Sequence, residues 1–185
     1  MDGVQYIRRV CYPTRVHFAL RLFRQTFEQF VKKGVVPPLP NVLPQELQRA
    51  ESGVYVAAFE NPGRKPRGRV GSYLPTKSTL GEEIQVQAVM LADTFPFRRE
   101  DLPFLTYEVL LTQSPQLLAD ISDLPPDAGL LVRSGRGQQG VALPGAAKRT
   151  PEERFLEVCR RAGVDHALDN VRLYTFGIDV LDEDT

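Results

Sequence analysis

The sequence is poor in cysteine and histidine, with two of each among 185 residues, and that scarcity removes several classes of site at once. Cys11 and Cys159 are too few for a disulfide framework, and nothing in their spacing resembles a metal knuckle. His17 and His166 lie far apart, and neither shares a helix face with a second ligand, so no recognisable metal motif is present. An excess of either charge is missing too. Lys plus Arg and Asp plus Glu number 23 each, which leaves no global field to draw the protein to nucleic acid or an anionic membrane. Binding of RNA through 63–69 is disfavoured by the same neutrality and by the want of an interleaved aromatic platform. No apolar run approaches the length that spans a bilayer, and Met1 to Val10 holds no apolar leader core. These absences set the expectation of a cytoplasmic protein in a reducing compartment, with no metal and no cofactor.

What is present is globular. Hydrophobic residues make up 42% and charged residues 25%, and a chain of 185 residues can bury roughly 70% of its unfolded surface without staples. The apolar positions Val16, Ala19, Leu20, Phe23, Phe27, Phe30 and Val31 follow a 3.6-residue period and predict a helix from Arg15 to Lys33. Thr14 is placed to cap it, Gly34 to end it, and the prolines at 37, 38, 40 and 44 forbid its continuation. Val54 to Phe59 is apolar on both faces and reads as a covered strand, with a turn at Asn61-Pro62-Gly63 and a partner strand over Val70 to Tyr73. Leu80, Ile84, Ala88 and Leu91, with Glu82, Glu83 and Gln87 between, predict a second helix over Thr79 to Ala92 that ends near Asp93.

Further along, Leu105 to Thr112 alternates as a strand with one wet face, and Leu130 to Arg133 with Gln139 to Leu143 forms a hairpin around glycines. Thr150-Pro151-Glu152-Glu153 joins an N-cap, proline at the first helical position and a capping-box glutamate, so a third helix follows. Phe155, Leu156, Cys159 and Ala162 make its buried face and Gly163 its stop. A last strand covers Val171 to Val180. This order lacks regular βαβ alternation, and the expected class is α+β with a largely antiparallel sheet.

Gly135-x-Gly137-x-x-Gly140 matches a dinucleotide string, but a phosphate-binding turn must open a helix, and these glycines lead into Val141-Ala142-Leu143 and Pro144. They read as a hairpin turn. Cys159 reads as a core thiol and His17 as a surface or capping residue. Arg64 and Lys65 read as a solvated hairpin tip. Arg67, Gly68, Arg69 and Gly71 are different, because two glycines inside a strand imply close approach of something to the backbone, and guanidinium groups with bare amides suit an anion.

The run Arg67-Gly68-Arg69-Val70-Gly71 resembles the signature of the AMMECR family, typically Arg-Gly-Cys-Ile-Gly. Gly53-Val54-Tyr55-Val56, Glu100-Asp101-Leu102-Pro103, Gly129-Leu130-Leu131-Val132, Gly140 to Pro144 and Phe155-Leu156 with Cys159, Ala162 and Gly163 follow in the family's order, over about nine-tenths of the chain. The resemblance implies a single domain of two interwoven subdomains, the smaller within about 35–100. It also implies a cleft between the subdomains with the signature nearby, and a pathway shared with Memo-type or radical-SAM proteins. Arg69 stands where the family has its cysteine, so a thiolate at that position is excluded here. The family's Asp-Pro-Arg-Phe stretch becomes Asp93-Thr94-Phe95-Pro96-Phe97, with its arginine gone. The leading expectation is a binding or accessory protein that holds an anionic small molecule or modified peptide through Arg67, Gly68, Arg69, Gly71 and Tyr73. The alternative is an enzyme with Asp93 as general base and Arg67 stabilising developing charge.

Overall fold

The computed structural model describes residues 7–9, 15–49, 52–144 and 149–183. Its elements are β1 (Ile7–Arg9), α1 (Arg15–Lys33), β2 (Val54–Glu60), β3 (Lys65–Gly71), α2 (Leu80–Thr94), β4 (Leu105–Thr112), β5 (Gln116–Leu118), β6 (Gly129–Ser134), β7 (Gln139–Ala142), α3 (Pro151–Ala162), β8 (Val171–Phe176) and β9 (Ile178–Asp182). Short 3-10 turns lie at Gln45–Leu47, Arg99–Phe104 and Ile121–Asp123. One sheet has the order β1-β9-β4-β2-β3, the other β5-β8-β6-β7. The pairings β2–β3, β2–β4, β5–β8, β6–β7 and β6–β8 are all antiparallel, so the α+β class is as expected. The chain divides into two compact units, of whose described residues one takes Arg9, 15–112 and 180–183, and the other 7–8 and Gln113–Asp179. Residues 35–100 do not separate as the smaller unit; they supply β2, β3 and α2 to the larger one.

In the larger unit, α1 turns Ala19, Leu20, Phe23 and Phe27 inward, and the Phe23 and Phe27 rings meet the edge of Tyr107 from β4 at 5.4 and 5.6 Å. Gly34, at φ 68°, ends the helix by donating its N–H to the Phe30 carbonyl. Thr14, Cys11 and the His17 side chain lie outside the described residues. Val54, Val56 and Ala58 of β2 join Ile84, Ala88 and Leu91 of α2 in this core, and Leu181 of β9 completes it. The start of α2 is a capping box, with Thr79 Oγ1 accepting from the Glu82 N–H and the Glu82 carboxylate accepting from the Thr79 N–H.

Two faces expected to be wet are dry. Glu83 and Gln87 of α2 are buried because Glu83 is the acceptor for a ring of donors, one of them Gln87 itself. On β4, Glu108 and Thr112 are buried: arginines take the first, and the hydroxyl of the second donates to the Tyr73 carbonyl at 3.1 Å.

In the other unit, β6 and β7 form the expected hairpin, with Gly137 at φ 87° in its turn and Arg136 paired to Asp169 at 2.9 Å. A Cβ at Gly140 would lie 2.7 Å from Val158 Cγ1, so that glycine serves close packing of β7 under α3. The Thr150–Glu153 capping box and the Gly163 stop, φ 67°, bound α3 as anticipated. Its buried face differs, consisting of Arg154, Val158 and Cys159, while Leu156 is 49% exposed. Arg154 turns inward because its guanidinium donates to the carbonyls of Pro126 and Ala128. The single last strand is two, interrupted at Gly177, with β8 in one sheet and β9 in the other.

Candidate functional site

The strand β3 begins at Lys65 and ends at Gly71, not at Val70 and Tyr73. The whole Arg67–Gly71 run is therefore strand, and Tyr73 follows it, buried among the core residues. A bulge opposite Ala58 and Phe59 breaks the alternation of β3 and lets neighbouring residues serve different tasks.

Gly68 faces α2. A Cβ there would lie 2.6 Å from the Phe95 ring, so this glycine exists to admit an aromatic from the chain's own core. Arg67 is engaged nearby. Its guanidinium contacts Glu60 at 2.9 Å and Asp101 at 3.4 Å, donates to the Pro96 carbonyl at 3.5 Å, and lies 5.6 Å from the centroid of Phe97. Asp101 also accepts from the Arg98 N–H at 2.9 Å, which ties the 3-10 turn at Arg99–Phe104 to β3. A guanidinium with two carboxylates, a carbonyl and a ring has its fork satisfied.

Arg69 faces the other way. Register places it beside Ala57 of β2, and Ala57 beside Glu108 of β4, so the three lie in one row across the sheet. Alanine in the middle leaves room for the two charged side chains to lean together. Arg69 Nη2 reaches Glu108 at 3.7 Å, with 44% of the arginine side chain and 10% of the glutamate side chain exposed. Arg64, in the turn before β3 at φ 51°, also binds Glu108 and stacks over Phe59, 4.6 Å from its centroid. Arg64 is thus no idle tip residue. Two residues along β3, opposite Tyr55, Gly71 closes on β2: a Cβ would meet Tyr55 Cα at 2.5 Å. Burial, helped by Tyr73, pushes the Tyr55 hydroxyl up to about 12, so it stays protonated at neutral pH.

The carboxylate proposed from sequence as a base is elsewhere. Asp93 is exposed in the last turn of α2, and among the described residues it makes no ion pair with Arg67 or Arg69, whose acidic partners are Glu60, Asp101 and Glu108. Cys159 is buried in the core of its unit and burial raises its thiol, the condition of an inert cysteine. Among the described residues no group of three His, Cys, Asp or Glu is placed to hold a metal, and no helix is long and apolar enough to cross a membrane.

Sequence reasoning missed Glu83. Its buried carboxylate accepts from Ser72 Oγ at 3.0 Å, Thr76 N–H at 2.7 Å, Thr76 Oγ1 at 3.0 Å, Lys77 N–H at 2.9 Å and Gln87 Nε2 at 2.9 Å. Burial would raise this carboxyl, but the donors from Gln87, Thr76 and Ser72 outweigh it and hold the group below its ordinary value. The result fixes 72–77, the segment directly after β3, to α2. The signal was available in the Ser-x-x-x-Thr-Lys spacing ahead of Glu83, but only a structure brings those donors together.

The AMMECR1 family model matches this chain over residues 20–181. A protein of Thermotoga maritima is 29% identical over 170 residues, covering 89% of this chain and 94% of that one. A protein of Thermococcus gammatolerans is 30% identical over 187 residues, covering 90% and 89%. The crystal structure of an uncharacterised protein from Pyrococcus horikoshii superposes with a TM-score of 0.72 at 27% identity, covering 88% of each chain.

Proposed function

Because the chain belongs to the AMMECR1 family, a membership that settles its fold and leaves its ligand to be read from side chains, we propose that it is a binding or accessory protein. Its recognition point is Arg69, on the outer face of β3, with Arg64 and Glu108 beside it and Gly71 next along the strand. The ligand class is an anionic small molecule or modified peptide. One observation carries the reading: Arg69 keeps 44% of its side chain exposed and has, among the described residues, a single loose ion pair at 3.7 Å to a carboxylate that also serves Arg64. Five N–H donors with one distant acceptor leave a guanidinium ready for a phosphate or carboxylate. Arg67, by contrast, is occupied by Glu60 and Asp101 and acts as a tie within the fold.

The test is a thermal-shift and calorimetric comparison of the protein with Arg69→Ala and Arg67→Ala, using inorganic phosphate and a phosphorylated peptide. Arg69→Ala is expected to abolish the ligand-induced shift while leaving the ligand-free melting temperature close to that of the parent. Arg67→Ala is expected to lower stability by about 1–3 kcal/mol, as loss of a partly buried charge-assisted network does, and to retain the shift. A ligand response that survives Arg69→Ala, or none in the parent protein, overturns the reading.

A further inference from the structure

The strand that carries Arg69 ends its sheet. In the order β1-β9-β4-β2-β3 it has a neighbour on one side only, and none of its seven residues is buried. The direction of its unpaired groups follows from one bond. The Ser72 N–H donates to the Val54 carbonyl at 3.0 Å, so Ser72 points its backbone at β2. Backbone groups alternate along an antiparallel strand, so Val70 points the same way, while Arg69 and Gly71 point their N–H and C=O groups outward. No described strand lies beyond them.

The two faces beside this edge differ in chemistry. On the outer face is the Arg69 guanidinium, with Glu108 two strands inward and Arg64 reaching it from the turn before β3. On the inner face are Val70 and the Phe95 ring over Gly68, both packed on the apolar core. A strand laid along this edge would meet a cation on one side and hydrocarbon on the other.

We propose that β3 is a strand-addition site, and that its occupant is an extended polypeptide segment alternating acidic and apolar residues. This rests on the anion reading of Arg69 and names the ligand class. In antiparallel addition, the residue opposite Arg69 exchanges both backbone hydrogen bonds with it and shares its face, so that residue is the acidic one. Its neighbours put apolar side chains toward Val70 and Phe95. A second copy of the same strand is the wrong occupant, because Lys65 to Gly71 holds three cations and no carboxylate to set opposite Arg69. The basic residues protect the edge from its own kind and select an acidic partner.

The test uses a capped, fluorescein-labelled six-residue peptide alternating glutamate and valine, titrated against the full chain by anisotropy, with inorganic phosphate measured separately by thermal shift. Two N-methylated forms of the peptide separate backbone pairing from charge attraction. Methylation at the glutamates, whose amides face β3, is expected to weaken binding at least tenfold; methylation at the valines, whose amides face solvent, is expected to leave it within twofold. Arg69→Ala, checked for fold by circular dichroism, is expected to lose the unmodified peptide. Binding that is equally sensitive or equally insensitive to the two methylations overturns strand addition and leaves the anion reading standing if Arg69→Ala still weakens it. A phosphate response without peptide binding has the same meaning. Silence toward both peptide and phosphate overturns the two together.

Discussion

At the scale of single residues, the charged groups of the larger unit divide between those that are spent internally and those that are not. Glu83 is the clearest internal one, with five donors around a carboxylate that water does not reach. Replacing it by alanine strands those donors and is expected to cost about 3 kcal/mol in urea denaturation. Its titration has a definite sign. The folded-state carboxyl is more acidic than the unfolded one, so its contribution is present above the unfolded value and disappears as pH falls through the folded value. Melting curves from neutral to acidic pH should therefore show a smaller acid-induced loss in Glu83→Gln than in the parent. An identical loss in both would mean that the donors do not hold the charge. Arg67 belongs to the same group, and it looked like a ligand residue only because Glu60, Asp101 and Phe97, its partners, are remote or unremarkable in sequence.

Elements show why some features were legible and others not. Periodicity and capping signals act within a few residues, so α1 and α2 fall where the apolar spacing places them, and Thr79 and Thr150 cap α2 and α3. The β3 strand was harder, since Lys65, Pro66 and two glycines carry little strand propensity, and pairing with β2 is what makes them extended. The burial of Glu108 was likewise hidden: alternation gave its face correctly, but nothing local announces two arginines arriving from β3 and its preceding turn. Closeness of the backbone at the glycine-rich strand was read correctly, though at Gly68 the approaching group is Phe95 and not a ligand. This predicts a specific coupling. Gly68→Ala should destabilise by about 1–3 kcal/mol through overpacking, and adding Phe95→Ala should recover part of that loss relative to the sum of the two single changes. Strict additivity in a double-mutant cycle would place the two side chains apart. The short strand β5 and the interruption at Gly177 escaped notice because three residues carry no period and one glycine in a strand carries no address.

At the scale of the molecule, antiparallel pairing with helices was foreseeable from the order of elements, whereas the division into units was not, because the larger one returns for a late piece of chain. Leu181, in β9, is as much a part of the larger core as Leu91 in α2. Leu181→Ala is expected to cost about 3 kcal/mol in chemical denaturation, comparable to other core leucines, while Leu156→Ala on the exposed side of α3 should change stability by less than about 0.5 kcal/mol. Equal effects of the two would mean that β9 contributes little to the core it joins.

Placing that leucine so late has a consequence for biosynthesis. Residues 113–179 leave the ribosome before the rest of β9 does, so the larger core, though most of it is translated first, lacks a part until Val180 to Asp182 follow. Its greasy sheet and helix faces therefore wait, incompletely covered, while residues 113–179 are made, and a chain stalled before β9 is expected to expose them to holding chaperones and to aggregation.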